Sequence, residues 1–312
     1  MPKTRADPEA EPRSPVRELW SGDLFRVGEF RAAPSHPRFR DSGPMRGSNI
    51  VFPRTNLRIR WAEGGFRWSD PAVINLYNDG DEYERAAVTP EGDRSCWIEL
   101  RPGLLETLQI PREAGAGMDP EHPWLRRQVP SNPKLFLAMR RLIVALRGRG
   151  TAPHLLEPLW VEERGMLLLG GVFESLVALA DRPRRIPGHP STALVEAARE
   201  RLASRVSKPL SLAELAWDLG YSPYHLARTF RAGTGTTLHR YRLSLRLHRA
   251  VDRLLDGEDD LTNLAFDLGF SSHSHFSATF RRHLGSTPSA ARRDRTGLGR
   301  TGSGRTGLGR SR

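Results

Sequence analysis

Two stretches of the chain place hydrogen-bonding side chains at helical spacing. The first, YHLARTFR, runs from Tyr224 to Arg231, and the second, SHFSATFRR, runs from Ser274 to Arg282. A guanidinium group donates a fork of hydrogen bonds that matches paired acceptors, such as a carboxylate, a phosphate or the edge of a guanine. The chemistry indicated by these stretches is therefore noncovalent recognition of a polar or anionic partner.

Apolar residues show which side of each stretch is free to bind. Leu226 and Phe230 in the first stretch, and Phe276 and Phe280 in the second, are four residues apart and predict a buried face. The opposite face of the first stretch presents Tyr224, Ala227, Arg228 and Arg231. That of the second presents Ser274, Ser277, Ala278 and Arg281, with His273 at the helix tip and Arg282 alongside.

Both stretches belong to a unit that occurs twice. LAELAWDLGYSPYHLARTFRAGTGTT begins at Leu212, and LTNLAFDLGFSSHSHFSATFRRHLGST begins at Leu261, with one residue added in the second turn. Each copy predicts a helix that ends at a glycine and a second helix that begins at Ser222 or Ser272. This pattern is typical of a helix-turn-helix, although an ordinary pair of helical hairpins is the alternative.

A single helix from Leu238 to Leu255 is predicted between the two copies, and Gly257 ends it. One stripe is apolar, with Tyr241, Leu245, His248, Val251 and Leu255. The other contains Arg242, Arg246, Arg249 and Arg253. This arginine stripe could meet phosphates or pair with Asp252, Asp256 and neighbouring acids, while a solvated face is the commoner explanation for such a stripe.

Composition indicates a folded protein with an anionic partner. The chain has 312 residues, 38% of them hydrophobic, and a formal net charge of +12, most of it from Ser191 onward. Basic residues that neutralise phosphates release counterions and give affinity for nucleic acid. The single cysteine, Cys96, excludes an intramolecular disulfide and predicts a buried core thiol in the strand-like SCWIEL. No targeting segment or membrane-length apolar run is found, so a cytoplasmic protein is expected.

The remaining segments differ in composition and in the spacing of their apolar residues. Residues 1–18 predict a disordered tail, and residues 181–190, DRPRRIPGHP, predict a linker. From Leu19 to Leu100, short runs such as SNIVFP, LRIRWA and AVINLY predict a small antiparallel sheet or barrel. A short helix at 103–110, a loop at 111–133 and two longer helical segments follow up to residue 180; the longer helices predict either a dimer interface or a cover for the sheet. Residues 294–312 repeat Thr-Gly-X-Gly-Arg and predict a flexible basic tail.

The duplicated region resembles the C-terminal DNA-binding domain of AraC/XylS-type transcriptional regulators. The similarity spans Ser191 to Arg293 and includes the run GFSSHSHFSATFRRHLGSTP from Gly269 to Pro288. It implies two recognition helices that enter successive major-groove segments of double-stranded DNA, about 34 Å apart. The implied base contacts are Tyr224, Ala227, Arg228, His273, Ser274, Ser277 and Ala278. The implied phosphate contacts are Ser222, Arg231, Ser272, Arg281 and Arg282.

Ala227 and Ala278 depart from the family pattern, because many members carry a larger polar residue at these positions. Contact with a thymine methyl group remains open to an alanine. Arg228 is the leading candidate for base discrimination, since a guanidinium can bond both acceptors of guanine.

The region 19–180 resembles the cupin-like sensor domains that accompany this DNA-binding domain, which implies a mainly β domain with trailing helices before the all-α domain of 191–293. In the family such a domain binds a small effector or mediates dimerisation. The candidate pocket residues are Trp61, Trp68, Tyr77 and Trp97, although plain core positions are the alternative for each.

The sequence therefore predicts a sequence-specific transcriptional regulator without enzymatic activity, metal or cofactor. Its expected partners are double-stranded DNA at the nucleoid, a small effector, a second copy of the chain and, for an activator, RNA polymerase. A nonspecific architectural DNA-binding protein is one alternative. A cupin enzyme is another, but it needs clustered histidines, and His36, His122, His154 and His189 are scattered. A DNA-repair alkyl transferase would need reactive cysteines.

Overall fold

A computed structural model describes residues 14–62, 64–107, 122–148, 157–179 and 190–293. The predicted tail at 1–18 lies mostly outside these residues, and the first strand already begins within it, at Val16. The predicted linker, except for its last residue, and the predicted basic tail at 294–312 also lie outside them. None of the described helices combines the length and apolar character that crossing a membrane requires.

The N-terminal region, the described part of residues 14–179, is built mainly from strands. They are β1 (Val16–Ser21), β2 (Phe25–Ala32), β3 (Ser48–Pro53), β4 (Leu57–Trp61), β5 (Arg67–Ser69), β6 (Val73–Tyr77), β7 (Tyr83–Ala87), β8 (Asp93–Leu100) and β9 (Gln128–Pro130). One antiparallel sheet has the order β1-β2-β8-β3-β6-β9, and a second has the order β5-β4-β7. The mainly β prediction is confirmed, but the described strands form two sheets and not a closed barrel.

The larger sheet separates two cores, because successive residues of a strand point to opposite faces. In β8, Cys96, Ile98 and Leu100 enter a core that the sheet shares with helices, whereas Trp97 enters a core shared with the smaller sheet. Cys96 is fully buried, and burial raises the pKa of its thiol. The predicted core thiol is thereby confirmed.

Three helices follow the strands or lie between the last two of them: α1 (Leu104–Thr107), α2 (Pro133–Gly148) and α3 (Pro158–Val177). The predicted apolar stripe of α2, including Leu135 and Met139, is buried against the larger sheet, as is Leu169 of α3. The inner faces of α2 and α3 therefore cover the sheet, which is one of the two roles predicted for these helices. Gly165 permits close approach, because a Cβ atom there would lie 1.9 Å from the Phe25 ring.

The C-terminal region, residues 190–293, is helical. Its helices are α4 (Pro190–Ser204), α5 (Leu212–Leu219), α6 (Pro223–Thr234), α7 (Leu238–Asp256), α8 (Leu261–Asp267), α9 (His273–Leu284) and α10 (Pro288–Arg293). Helices α5 and α6 form the first helix-turn-helix, α8 and α9 form the second, and α7 joins them. The predicted all-α architecture with a long joining helix is therefore confirmed.

Helix α7 also docks on the N-terminal region through ion pairs. The nearly inaccessible Arg54, which follows β3, places Nε 2.7 Å from Oδ1 of Asp252. The fully buried Arg140 of α2 places Nη2 2.7 Å from Oδ1 of Asp256. Burial opposes ionisation of Asp256, but the attraction of both arginines outweighs it and lowers the pKa of the carboxyl group. These four side chains, here named the ion cluster, join the two regions.

Candidate nucleic-acid interface

Local hydrogen bonds specified by the sequence hold the first helix-turn-helix. Ser211 Oγ accepts from the backbone N–H of Glu214 at 3.1 Å, and the Glu214 carboxylate accepts from the Ser211 N–H at 2.7 Å. This capping box begins α5. Gly220 ends α5 with a φ of 74°, and Ser222 Oγ then accepts from the His225 N–H at 3.2 Å to begin α6. The start of α6 is thus set by a short, fully capped turn.

The second unit uses equivalent bonds with different residues. Asp260 Oδ1 accepts from the N–H groups of Thr262 and Asn263, both at 2.9 Å, and so begins α8. Ser272 Oγ accepts from the His275 N–H at 3.1 Å and begins α9. Gly269 provides the turn between the helices. The predicted helix starts at Ser222 and Ser272 are both confirmed.

Gly220 and Gly269 occupy equivalent turn positions and form a matched pair for mutagenesis. Their φ angles are 74° and 76°, but an added Cβ would meet nothing within 4 Å at Gly220 and would lie 2.3 Å from the carbonyl oxygen of Ser207 at Gly269. We expect Gly220→Ala to lower the free energy of unfolding by about 1 kcal/mol through backbone strain alone. Gly269→Ala adds overpacking and should lower it by about 3 kcal/mol. Urea denaturation measures both, and equal losses would contradict the prediction.

Helix α7 sets the separation of the two recognition helices, α6 and α9. Its first half contributes Tyr241 and Leu245 to a core with α4 and α6, and its second half contributes Val251 and Leu254 to a core with α9. Thr237 caps the start of α7, with Oγ1 accepting from the Arg240 N–H at 3.2 Å. Because one helix carries both cores, the two recognition helices cannot move independently without disrupting packing.

The outer face of α6 carries the predicted polar residues. Tyr224 is 75% exposed, Arg228 and Arg231 are exposed, and Ala227 is half-buried. The predicted inner residues Leu226 and Phe230 are fully buried. Neither arginine forms an ion pair with any residue that the structure describes. Two cationic groups are therefore left free for an anionic or acceptor-rich partner.

The outer face of α9 is built from shorter side chains. Ser274, Ala278, Arg281 and Arg282 are exposed, and within the described ranges neither arginine is ion-paired. Ser277 is half-buried, with its Oγ 3.4 Å from Nε2 of His273 at the helix tip. Phe276 and Phe280 are fully buried, as predicted. The structure thus gathers the predicted contact residues on one face of each helix, while their contacts with DNA stay a prediction.

The arginine stripe of α7 has a structural role that the sequence did not reveal. Side-chain nitrogens of Arg242, Arg246 and Arg249 donate to the carbonyl oxygens of Arg205, Val206 and Ala203 at 2.8–3.1 Å. The last carbonyl groups of a helix lack partners and carry partial negative charge. The stripe therefore anchors the end of α4. These three side chains are half-buried and not a solvated face, while the alternative of a phosphate contact stays a prediction.

Arg253, the last member of the stripe, pairs with the acids Asp267 and Glu258 at 2.9 and 2.7 Å. The predicted pairing with neighbouring acids is correct for this residue alone. Asp252 and Asp256 instead join the ion cluster with the N-terminal region.

Two exposed aromatic residues at matching positions were not predicted from the sequence. Trp217 of α5 is 86% exposed and Phe266 of α8 is 55% exposed. They occupy equivalent positions in the two copies of the repeat, which was the signal available in the sequence. Both lie on the first helix of their unit, outside the predicted contact faces of α6 and α9.

The four predicted effector-pocket residues do not lie together. Trp61, Tyr77 and Trp97 are buried in the core between the two sheets, with ring centroids of Trp61 and Tyr77 5.6 Å apart. Trp68 lies instead in the core that β5 shares with α4, and its Nε1 donates to Asp70 at 2.8 Å. Trp68 therefore lies apart from the other three, and an effector contact by any of the four stays a prediction. The alternation of strand β5 directs its side chain toward the C-terminal region.

Comparison with known proteins supplies the family. Residues 215–294 match a family described as a helix-turn-helix domain. Regulatory protein SoxS of Salmonella typhimurium is 34% identical over 96 residues, which cover 31% of this chain and 90% of SoxS. HTH-type transcriptional regulator ArgR of Pseudomonas aeruginosa is 30% identical over 154 residues, but the match covers only 46% of each chain.

Among solved structures, an AraC-type transcriptional regulator from Chromobacterium violaceum is 33% identical to this chain. The alignment covers 35% of this chain and 97% of that one, with a TM-score of 0.33. The match to the helix-turn-helix family, at residues 215–294, covers most of the two capped units described above. The chain belongs to the AraC/XylS family of transcriptional regulators.

Proposed function

We propose that this regulator binds a specific bipartite site on double-stranded DNA by inserting α6 and α9 into successive major-groove segments. The observation that carries the proposal is the pair of capped helices held on one joining helix, whose outer arginines form no ion pair within the described ranges. A nonspecific DNA-binding protein needs positive charge but not two outer faces of defined side chains. The proposed action requires no catalysis and no cofactor.

The two recognition helices have unequal roles in this proposal. The outer face of α6 offers Tyr224 and Arg228, which are long enough to reach base edges in the major groove. The outer face of α9 offers Ser274 and Ser277, with Arg281 positioned for phosphate contact. The DNA segment contacted by α6 should therefore show a stronger base preference than the segment contacted by α9. Equal base preference in the two segments would contradict this assignment.

Selection of bound duplexes from a random pool tests the proposal directly. A defined consensus in two segments about one helical turn apart is the expected result. A salt series on the selected and a random duplex should then show tighter binding of the selected duplex by a factor of about 10³ or more at physiological salt. Equal affinity for both duplexes would favour the nonspecific architectural alternative.

Arg228→Ala and Arg231→Ala form a matched pair, because both remove one exposed arginine from α6. We expect Arg228→Ala to relax the preference at one base pair, with about 1–3 kcal/mol less discrimination against the wrong base. Arg231→Ala should weaken binding to all sequences. It should also reduce, by about one, the magnitude of the slope of the logarithm of the binding constant against the logarithm of the salt concentration. Fluorescence anisotropy with the selected duplex and its single-base variants measures both effects. Uniform weakening by Arg228→Ala would reassign that side chain to a phosphate.

The N-terminal region is proposed to control DNA binding, either through a small effector or through dimerisation. Dimerisation is supported by α3, whose outer face leaves Leu159, Leu167 and Val177 exposed. Exposed apolar residues on one helix face indicate a contact with a second apolar surface. As an activator, the DNA-bound regulator would also contact RNA polymerase at the nucleoid. Sedimentation of the full chain and of Leu167→Glu tests the dimer, which the added charge should dissociate.

A further inference from the structure

A cavity of about 630 Å³ lies where the N-terminal and C-terminal regions meet. The N-terminal side of its wall comes from β5, β6, β9, the start of α2 and the end of α3. The C-terminal side comes from α4, the end of α6, α7 and the end of α9. Its volume falls within the range of small-molecule sites, roughly 300–1,000 Å³. None of Trp61, Trp68, Tyr77 and Trp97 lines this junction cavity.

The junction cavity is lined by cationic side chains from both regions. They are Arg67, Arg126, Arg127, Arg199 and Arg240. In the described part of the chain, the lining includes no aspartate or glutamate. A wall with charge of one sign and apolar surroundings concentrates the opposite charge within it. The lining therefore favours an anion over a neutral or cationic molecule.

Part of this positive charge has no protein partner. Arg127 pairs with Asp81, but Arg67 is half-buried and forms no ion pair with the residues that the structure describes. Burial lowers the pKa of Arg67. The negative charge of Glu196 partly offsets this shift, whereas the positive charges of Arg127 and Arg199 lower the pKa further. In the wall, the fully buried Arg199 pairs with Glu196, but its Nη2 has no hydrogen-bond partner among the residues that the structure describes. A bound anion would relieve the repulsion between these guanidinium groups.

The rest of the lining combines apolar side chains with polar ones. Val73 and Val129 of the larger sheet face Leu243 and Leu247 of α7 across the cavity, and Leu125 at its edge remains 44% exposed. Free phosphate would bury none of this surface, whereas an apolar body attached to the charge would do so at about 25 cal/mol per Å². The combination indicates a ligand with one anionic group and a hydrocarbon or aromatic body.

We propose that the junction cavity binds an organic anion with an apolar body. The anionic group would lie near Arg67 and Arg240, and the apolar body would lie between the sheet and α7. A ligand in this position touches the C-terminal end of α6 as well as α7, so it contacts both the sensor side and the helices that position the first recognition helix. The inference deepens the effector control proposed above and rests on that proposal for its regulatory meaning.

Anilinonaphthalene sulfonate, an anionic aromatic dye, is a suitable probe, and phenylnaphthylamine is its uncharged counterpart. Fluorescence titration of the full chain without DNA should show one saturable site for the sulfonate and binding about tenfold weaker for the uncharged dye. Arg67→Gln should weaken sulfonate binding about tenfold and leave phenylnaphthylamine binding unchanged. Arg17→Gln is the matched control, because it removes the same charge from β1, at the opposite edge of the sheet from β9.

Equal binding of the two dyes, or equal weakening by Arg67→Gln and Arg17→Gln, would overturn the proposal. Arg240→Gln provides a second test if Arg67→Gln fails to fold, since Arg240 is exposed and its loss leaves no buried group unpaired. It should also weaken sulfonate binding and spare the uncharged dye. The titration contains no DNA, so a negative result would not contradict the proposed DNA binding. In the same way, a failed duplex selection would not contradict ligand binding in the cavity.

Discussion

Asp252→Asn is expected to lower the free energy of unfolding by about 3 kcal/mol. Asp252 Oδ1 lies 2.7 Å from Nε of Arg54 and 2.9 Å from Nε of Arg140, and both arginines are almost inaccessible to solvent. Removing one partner of a buried ion pair leaves an uncompensated charge away from water. Asp256 still neutralises part of this charge. The expected loss of unfolding free energy therefore lies at the lower end of the range usual for a broken buried ion pair.

Asp267→Asn is the matched control for this substitution. Asp267 also pairs with an arginine of α7, at 2.9 Å from Arg253 Nη1, but its side chain is largely exposed. Exposed ion pairs contribute little because water screens them. Guanidinium denaturation of the full chain should therefore show a large loss for Asp252→Asn and almost none for Asp267→Asn. Similar losses would show that the ion cluster does not stabilise the contact between the two regions.

Stability is expected to fall as the pH drops from 6.5 toward 4, because His248 is buried in its neutral form. Burial lowers its pKa from 6.5 to about 4, although the hydrogen bond to the Ser244 carbonyl oxygen and the charge of Asp252 favour protonation. The unfolded chain therefore takes up a proton at a higher pH than the folded chain. The stabilising contribution is complete above pH 6.5 and is lost as the pH falls through about 4, a change of about 3 kcal/mol.

His248→Gln should flatten this dependence, and His273→Gln should not. His248 lies on α7 against Phe136 of α2, with ring centroids 4.8 Å apart, and its Nε2 is 3.5 Å from Ser131 Oγ. His273 is exposed at the tip of α9. Urea denaturation at pH 7, 6 and 5 measures how steeply the free energy of unfolding changes with pH in the wild-type protein and in the two variants. Asp256, with its lowered pKa, adds a loss of the same sign at lower pH, so the slope between pH 7 and 5 is the informative quantity.

Local chemistry made the helix-turn-helix units predictable from the sequence. Ser222 and Ser272 cap helices, Gly220 adopts a positive φ, and Phe230 and Phe280 are buried at helical spacing. Each of these features depends on residues within one or two turns of the chain. The strand runs SNIVFP, LRIRWA and AVINLY were found for the same reason, since alternation is a local pattern. Strands β5 and β9 were missed because three residues give too little periodicity, and β7 was missed because its sequence, YERAA, has only one large apolar residue.

The arrangement between the two regions was decided by tertiary structure alone. Nothing near Asp252 or Asp256 in sequence indicates that their partners are Arg54 and Arg140, more than a hundred residues away. The carbonyl groups that bind the arginine stripe of α7 belong to the end of α4, and the residues that line the junction cavity come from nine helices and strands and their connections. Long-range pairing depends on how whole helices and sheets pack, which local propensity does not contain. The sequence by itself determined the two recognition helices and their outer faces, whereas packing decided how the N-terminal region holds the helix that joins them.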